Sequence, residues 1–194
     1  MTCSDLVVRL AFAPPAPGGG LAGSALARAL VERQAAVVLG GRGGPLTWAR
    51  TESGRPYLIE APEMRFSISH SGPYVGVVFA VVPCGLDIEL STRRARPALA
   101  RRFAPDEREY IAAADPAALA NDRLLEVWTK KEAYLKWLGV GLGAGLASFS
   151  VLDPAALGVG FIGLAPGPRG DLTGHICVDQ ATARSAAVRQ IWED

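Results

Sequence analysis

Apolar and polar positions alternate in short runs toward both ends of the chain, and follow a helical period between them. Residues 5–12 (DLVVRLAF) read as a strand. A Pro- and Gly-rich segment at 14–20 separates it from a helix predicted from Ser24 to about Leu39. That helix carries Leu26, Leu30 and Val37 on one face and stops at Gly40-Gly41. Strands are then predicted at 46–51, 57–59, 65–69, 74–82 and 86–90, with turns at Gly54-Arg55-Pro56, Gly72-Pro73 and Pro83-Cys84-Gly85. In the third of these, Phe66 and Ile68 alternate with polar neighbours, as on a half-buried strand.

The period then changes. A short helix is predicted at 97–102 and another from Pro105 to about Ala113, although Ala104 is a poor cap for it. Asp115-Pro116 supplies a cap and a first-turn proline for a long helix ending at Gly139, with Leu124, Trp128, Leu135 and Leu138 as its apolar stripe. Beyond Gly145, strands are predicted at 148–152, 160–164, 174–178 and 185–192. The order predicts an α+β fold with two lobes meeting near residues 90–95: an N-terminal lobe over 1–90 and a C-terminal lobe over 91–194. The two halves show no sequence repeat.

Composition removes several classes. A hydrophobic content of 49% with 20% charged residues argues against general disorder. The longest nearly unbroken apolar run, Val75 to Val82, is too short to span a bilayer, and residues 1–5 do not read as the start of a secretory signal. A formal net charge of +1 disfavours a generally basic nucleic-acid binder. Cys3, Cys84 and Cys177 are scattered and odd in number, which fits a reducing cytoplasm better than a disulfide framework or a zinc site. Gly18 to Gly23 satisfies Gly-x-Gly-x-x-Gly. It lacks the tight turn after a strand and the acidic residue about twenty positions on that a dinucleotide site needs.

One imbalance points to chemistry. Of the 20 basic residues only Lys130, Lys131 and Lys136 are lysines, all within seven positions. The segment either demands an ammonium, a compact charge able to give up a proton, or is a solvated helix face.

Three local patterns carry candidate sites. In Gly85-Leu86-Asp87-Ile88-Glu89, Asp87 and Glu89 share one strand face and would repel each other without a cation; hard oxygen donors suit magnesium, and a solvated edge strand is the alternative. In Trp128-Thr129-Lys130-Lys131-Glu132-Ala133-Tyr134-Leu135-Lys136, Trp128, Glu132 and Lys136 share a helix face, which also suits a surface Glu–Lys pair. Phe66-Ser67-Ile68-Ser69-His70-Ser71-Gly72 offers hydroxyls, an imidazole and backbone N–H groups, either as a phosphate cradle or as a polar turn.

Together and in order, these motifs resemble the phosphopantetheinyl transferases of the surfactin-synthetase-activating type. The family pattern is Gly-Lys-Pro, Phe-Asn-x-Ser-His-Ser, Gly-x-Asp-x-Glu, Trp-x-x-Lys-Glu-Ala/Ser-x-x-Lys and Gly-x-Gly-Leu. The chain reads Gly54-Arg55-Pro56, Phe66 to Ser71, Gly85 to Glu89, Trp128 to Lys136 and Gly139-Val140-Gly141-Leu142. The resemblance spans about residues 50 to 150.

The resemblance implies two similar α+β lobes in one chain, a pseudo-dimer with the active site between them. It implies transfer of 4′-phosphopantetheine from coenzyme A to a serine of an apo acyl or peptidyl carrier protein, with release of 3′,5′-ADP and a requirement for Mg2+. Asp87, Glu89 and Glu132 match metal ligands, and Glu132 also matches a base for the serine proton. Lys136 matches a phosphate contact able to protonate the leaving phosphate. Arg50, Arg55, Ser69, His70 and Lys131 match contacts to coenzyme A. Two positions depart from the pattern: Ser67 stands where the family has Asn, and Arg55 where it has Lys. Gly18-Gly19-Gly20 replace basic residues before the first helix, and Arg28 is the candidate substitute.

Arg93, Arg94, Arg96, Arg101, Arg102 and Arg108 form a basic cluster, read as a docking surface for an acidic carrier protein. The expected protein is a cytoplasmic monomer that engages neither nucleic acid nor membrane. A magnesium nuclease would need a longer basic track. A non-catalytic carrier-binding relative would not need every charged position of the site to hold a usable residue.

Overall fold

The computed structural model describes residues 5–12, 21–41, 44–94, 97–116, 118–141 and 145–193. Gly18 to Gly20, Arg96, Leu142 and Cys3 lie outside them. The first half contains β1 (Asp5–Phe12), α1 (Leu21–Val38), β2 (Trp48–Arg50), β3 (Pro56–Leu58), β4 (Arg65–Ser71), β5 (Tyr74–Ala80) and β6 (Gly85–Leu90). The second contains α2 (Pro97–Ala100), α3 (Pro105–Ala112), α4 (Ala118–Leu138), β7 (Val159–Gly163), β8 (Leu172–Asp179), α5 (Gln180–Ser185) and β9 (Ala187–Glu193). The fold is mixed α/β.

Two sheets carry the molecule, ordered β4-β5-β1-β9 and β6-β8-β7, with β2 and β3 as a separate ribbon. β1 pairs antiparallel with β5 and parallel with β9; β8 pairs antiparallel with both β6 and β7. The halves of the chain therefore exchange strands: β6 joins the second sheet and β9 returns to the first.

The alternation predicted from sequence becomes a layered core. Val7, Ala11, Val75, Val77 and Phe79 face Ala27, Leu30, Val31 and Ala35 of α1. On the other face of the same sheet Leu6, Val8, Leu10, Tyr74 and Val78 pack against Leu86, Ile88, Ile176 and Val178 of the second sheet. Gly85 lies against α4 so closely that a Cβ would stand 1.9 Å from Ala133 O and 2.6 Å from Trp137 N. The layers thus run α1, first sheet, second sheet, α4, and β6 has one apolar face and one face under α4.

Two elements differ from expectation. Residues 148–152 form bends and irregular backbone, not a strand. Their backbone is satisfied by buried side chains: Lys131 Nζ donates to Phe149 O at 2.6 Å, and Glu107 Oε1 accepts from Val151 N at 2.8 Å. Helix α5 was not predicted. Asp179 caps it, accepting from Thr182 N at 2.9 Å and Thr182 Oγ1 at 2.6 Å, a local Asp-x-x-Thr signal. The weak cap at Ala104 is also resolved, because Glu107 reaches back to accept from Ala104 N at 2.9 Å.

α4 and β8 meet at a polar contact. Thr129 Oγ1 lies 2.8 Å from Leu125 O and 2.8 Å from His175 Nδ1. The hydroxyl proton goes to the carbonyl, so Nδ1–H of a neutral imidazole donates to the hydroxyl oxygen. Burial pushes the imidazole down from 6.5 to about 4, with the Lys130 charge adding to the shift. Between those values the unfolded chain binds a proton that the folded chain refuses, so stability falls as pH falls from 6.5 to 4. Urea unfolding of the parent and His175→Gln over this window should show the parent losing up to about 3 kcal/mol more than the variant.

Candidate active site

A cleft of about 850 Å³ opens between α1, β2 and β4 on one side and β6 and α4 on the other. Arg50, Ser69, His70, Asp87, Glu89, Glu132 and Lys136 all line it, joined by Arg28, Trp48 and Trp128. A groove of about 710 Å³ beside Val37, Val38 and Val188 gathers none of the predicted residues.

The carboxylates are positioned by serines. Ser67, Ser69 and Ser71 occupy alternate positions of β4, and their hydroxyl oxygens accept from Leu86 N (3.0 Å), Ile88 N (3.2 Å) and Leu90 N (3.1 Å) of β6. The hydroxyl of Ser69 donates to Asp87 Oδ1 at 2.7 Å, and that of Ser71 donates to Glu89 Oε2. The period of two on β4 matches the period of two on β6, so one serine serves each turn of the pleat. Ser69, matched by resemblance to a coenzyme A contact, spends its hydroxyl on this ladder while still lining the cleft.

Asp87 and Glu89 are 6% exposed each. Lys136 Nζ donates to Asp87 Oδ1 at 2.7 Å and to Leu86 O at 2.8 Å. Glu89 accepts from Arg93 Nη1 and from Trp128 Nε1 at 3.1 Å. Burial raises the Asp87 carboxyl above the usual range, against the pull of Lys136 and Ser69. Burial also raises Glu132, and the charges of Asp87 and Glu89 push it further up. Glu132 Oε1 is buried with no hydrogen-bond partner among the described residues. Three carboxylates that repel one another and one orphaned oxygen make a donor set that fits a hard divalent cation. Among the described residues, no group of three or more His, Cys, Asp and Glu is gathered as a ready-made metal cage.

At the far wall, Arg28 stacks 5.1 Å from the Trp48 ring centre, and Glu32 Oε1 accepts from both Arg28 Nε (2.8 Å) and Trp48 Nε1 (3.1 Å). Arg50 donates to Gly54 O at 2.7 Å, and His70 is exposed at the rim. The sequence reading missed Trp48, and it quoted Ser71 within its motif without giving it a role. The signal for Ser71 was present in the Ser-x-Ser-x-Ser alternation; that for Trp48 was only its place two residues before Arg50.

Two expected coenzyme A contacts lie elsewhere. Arg55 donates to the carbonyls of Lys136 and, at 2.7 Å, Trp137, closing the last turn of α4 beside a separate cavity of about 260 Å³. Lys131 is 0% exposed on the reverse face of α4. Its ammonium meets Glu107 Oε2 at 2.8 Å, donates to Leu146 O at 2.7 Å and sits 4.0 Å from the Phe149 ring centre. Lys131 is turned about 100° from Glu132 around the helix, and that turn carries its ammonium to Glu107 and away from the cleft. Lys130, one further residue back, pairs with Glu126 outside the cleft.

Residues 83–168 match the model of the 4′-phosphopantetheinyl transferase superfamily. The chain is 33% identical over 122 residues to a 4′-phosphopantetheinyl transferase of Bacillus subtilis, covering 63% of this chain and 54% of that one. It is 31% identical over 131 residues to the 4′-phosphopantetheinyl transferase Sfp of Bacillus subtilis strain 168, covering 68% and 56%. It is 32% identical over 98 residues to the 4′-phosphopantetheinyl transferase psf-1 of Bacillus pumilus, covering 50% and 42%. The matched segments span about half the length of these curated relatives. The family resemblance read from the motifs is borne out.

The Lys131–Glu107 pair carries a prediction that separates stability from binding. Breaking a buried ion pair from one side costs about 3–5 kcal/mol, because the partner charge is left unpaired. Lys131→Met should lower the denaturant midpoint strongly, and Glu107→Gln in the same chain, which removes the unpaired charge but keeps an acceptor for Ala104 N or Val151 N, should restore part of it. Loss of coenzyme A affinity in the Lys131→Met, Glu107→Gln chain while it is still folded would return Lys131 to the binding site.

Proposed function

We propose, for a chain that carries a domain of the 4′-phosphopantetheinyl transferase superfamily over residues 83–168, that it moves 4′-phosphopantetheine from coenzyme A to a serine hydroxyl of an apo carrier protein and releases 3′,5′-ADP. The observation that carries this reading is the convergence of Asp87, Glu89, Glu132 and Lys136 with Arg50, Ser69 and His70 on one cleft. The cleft draws walls from both parts of the chain, which supports two lobes at 1–90 and 91–194 arranged as a pseudo-dimer, with β6 and β9 exchanged between their sheets.

In this reading the serine oxygen attacks the pantetheine-side phosphorus, and the bond from that phosphorus to the bridging oxygen breaks. Asp87, Glu89 and Glu132 would hold Mg2+, which neutralises charge on the pyrophosphate when bound. Glu132 Oε1, free of internal partners among the described residues, accepts the serine proton directly or through a water. Lys136 supplies a proton to the leaving phosphate oxygen. Arg50, His70 and Arg28 offer positive or hydrogen-bonding groups to the nucleotide end. Arg55 and Lys131 serve the scaffold instead, by anchoring the end of α4 and its reverse face.

The carrier protein would dock on the arginine cluster. Arg94, Arg101, Arg102 and Arg108 are exposed, while Arg93 is already tied to Glu89. No helix among the described residues is long and apolar enough to cross a membrane. Action as a monomer in the cytoplasm is part of the same proposal.

Mass spectrometry of an apo carrier protein incubated with the chain, coenzyme A and Mg2+ should show the gain of one phosphopantetheine, abolished by chelator. Asp87→Ala and Glu132→Ala should each lower turnover by roughly 10²-fold or more with unchanged circular dichroism. Full turnover by both variants in metal-free buffer would overturn the reading.

Arg94→Glu with Arg102→Glu should raise the KM for carrier protein and weaken its salt dependence, leaving coenzyme A affinity nearly unchanged. Exposed charges steer encounter and are screened over about 8 Å at physiological salt. An unaltered KM at low salt would remove the cluster from the docking surface.

A further inference from the structure

Lys136 stands where the proposed reaction needs a different cation. Its ammonium is bound to Asp87 Oδ1 at 2.7 Å and to Leu86 O at 2.8 Å, and its side chain is 29% exposed. On the same strand face Glu89 is held by Arg93, Ser71 and Trp128. Two of the three carboxylates are thus neutralised by cations of the chain itself, while Glu132 Oε1 lacks a partner among the described residues. The carboxylates are engaged separately, in keeping with the absence of a gathered metal cage among those residues.

We propose that Lys136 is a placeholder cation. It holds Asp87 in the free chain, then moves to the phosphates of the incoming co-substrate and yields the Asp87 oxygen to the divalent ion. The identity of that co-substrate rests on the transfer reading; the occupation of Asp87 by Lys136 does not.

The physical case is a competition between cations. An ammonium and a divalent ion cannot both contact Asp87 Oδ1 without strong mutual repulsion. A metal that takes Asp87 Oδ1 in the free chain must therefore break the Lys136 pair first, and its affinity is lowered by the cost of leaving an ammonium unpaired in a half-buried site. A pyrophosphate in the cleft offers Lys136 an alternative anion, which removes much of that cost. Linkage makes the effect reciprocal, so metal and co-substrate each tighten the binding of the other.

The residue type agrees with the role. A lysine head group is a compact charge on a flexible four-carbon stem that can swing between two anions. At Arg55, where the task is to fix two carbonyls of α4, the chain uses a rigid guanidinium instead. The arrangement keeps the paired carboxylates of β6 neutralised while the cleft is empty and favours loading metal and phosphate together.

Mn2+ binding to the full chain, followed through the free-ion signal in electron paramagnetic resonance, tests this without any turnover. The parent should bind Mn2+ weakly alone and about 5–150-fold more tightly with coenzyme A, the usual range of such couplings. Lys136→Met and Lys136→Gln should bind Mn2+ without coenzyme A roughly tenfold or more tightly than the parent, and coenzyme A should add less. Lys130→Gln, whose lysine pairs with Glu126 outside the cleft, should match the parent in both states.

If neither Lys136 variant binds Mn2+ more tightly than the parent, or if coenzyme A leaves the parent's affinity unchanged despite binding, Lys136 is no placeholder. An absence of Mn2+ binding in every form overturns the proposal as well. Calorimetry of coenzyme A with the parent separates the two readings. If coenzyme A does not bind, the transfer function falls, while the Mn2+ titration of the free parent and variants still decides whether Lys136 occupies Asp87.

Discussion

The hydroxyl ladder between β4 and β6 is the contact on which the site depends. Three serines at alternate positions accept backbone N–H groups from alternate residues of a strand in another sheet. No backbone ladder joins these two edges, so without the hydroxyls three N–H groups of β6 would be buried without acceptors, each at a cost of about 1–3 kcal/mol. Two of the same hydroxyls spend their protons on Asp87 and Glu89. One set of small polar groups thereby joins the sheets, satisfies β6 and aims its carboxylates. Small side chains are required here because the serine face of β4 is pressed against β6.

α4 divides its work by face. Glu132 and Lys136, four residues apart, look into the cleft with Trp128. Lys131 looks the other way into a closed pocket of Glu107, two carbonyls and the Phe149 ring. That pocket ties α3, α4 and residues 146–151 into one unit. Arg55 then fixes the carbonyl end of α4 from the first half of the chain. The cleft-facing groups are thus mounted on a helix that is also held from behind and at its end.

Charge in the cleft is balanced locally. Each buried acid of β6 has a basic partner within reach, Lys136 for Asp87 and Arg93 for Glu89. Among the described residues Glu132 has none in contact, and it carries the imbalance, raised first by burial and then by its acidic neighbours. A site balanced in this way is stable when empty and still has one oxygen disposed to take a cation or a proton.

Much of this was legible in one dimension, and the reason is periodicity. Alternation placed Phe66 and Ile68 on one face of β4 and the serines on the other, and placed Asp87 and Glu89 together on β6. A spacing of four placed Glu132 beside Lys136. These relations hold within one element and need no knowledge of its neighbours. Tertiary structure decided what each face meets. The lysine cluster, read either as a demand for ammonium or as a solvated helix face, is three separate environments, because adjacent helix positions diverge by about 100°. The apolar alternation at 148–152 favoured a strand locally, but Lys131 and Glu107 captured its backbone groups first. The return of β9 to pair with β1, and the placement of β6 in the second sheet, join residues far apart in sequence. Such pairings depend on which edges are left open after the rest has folded, and no local pattern encodes that.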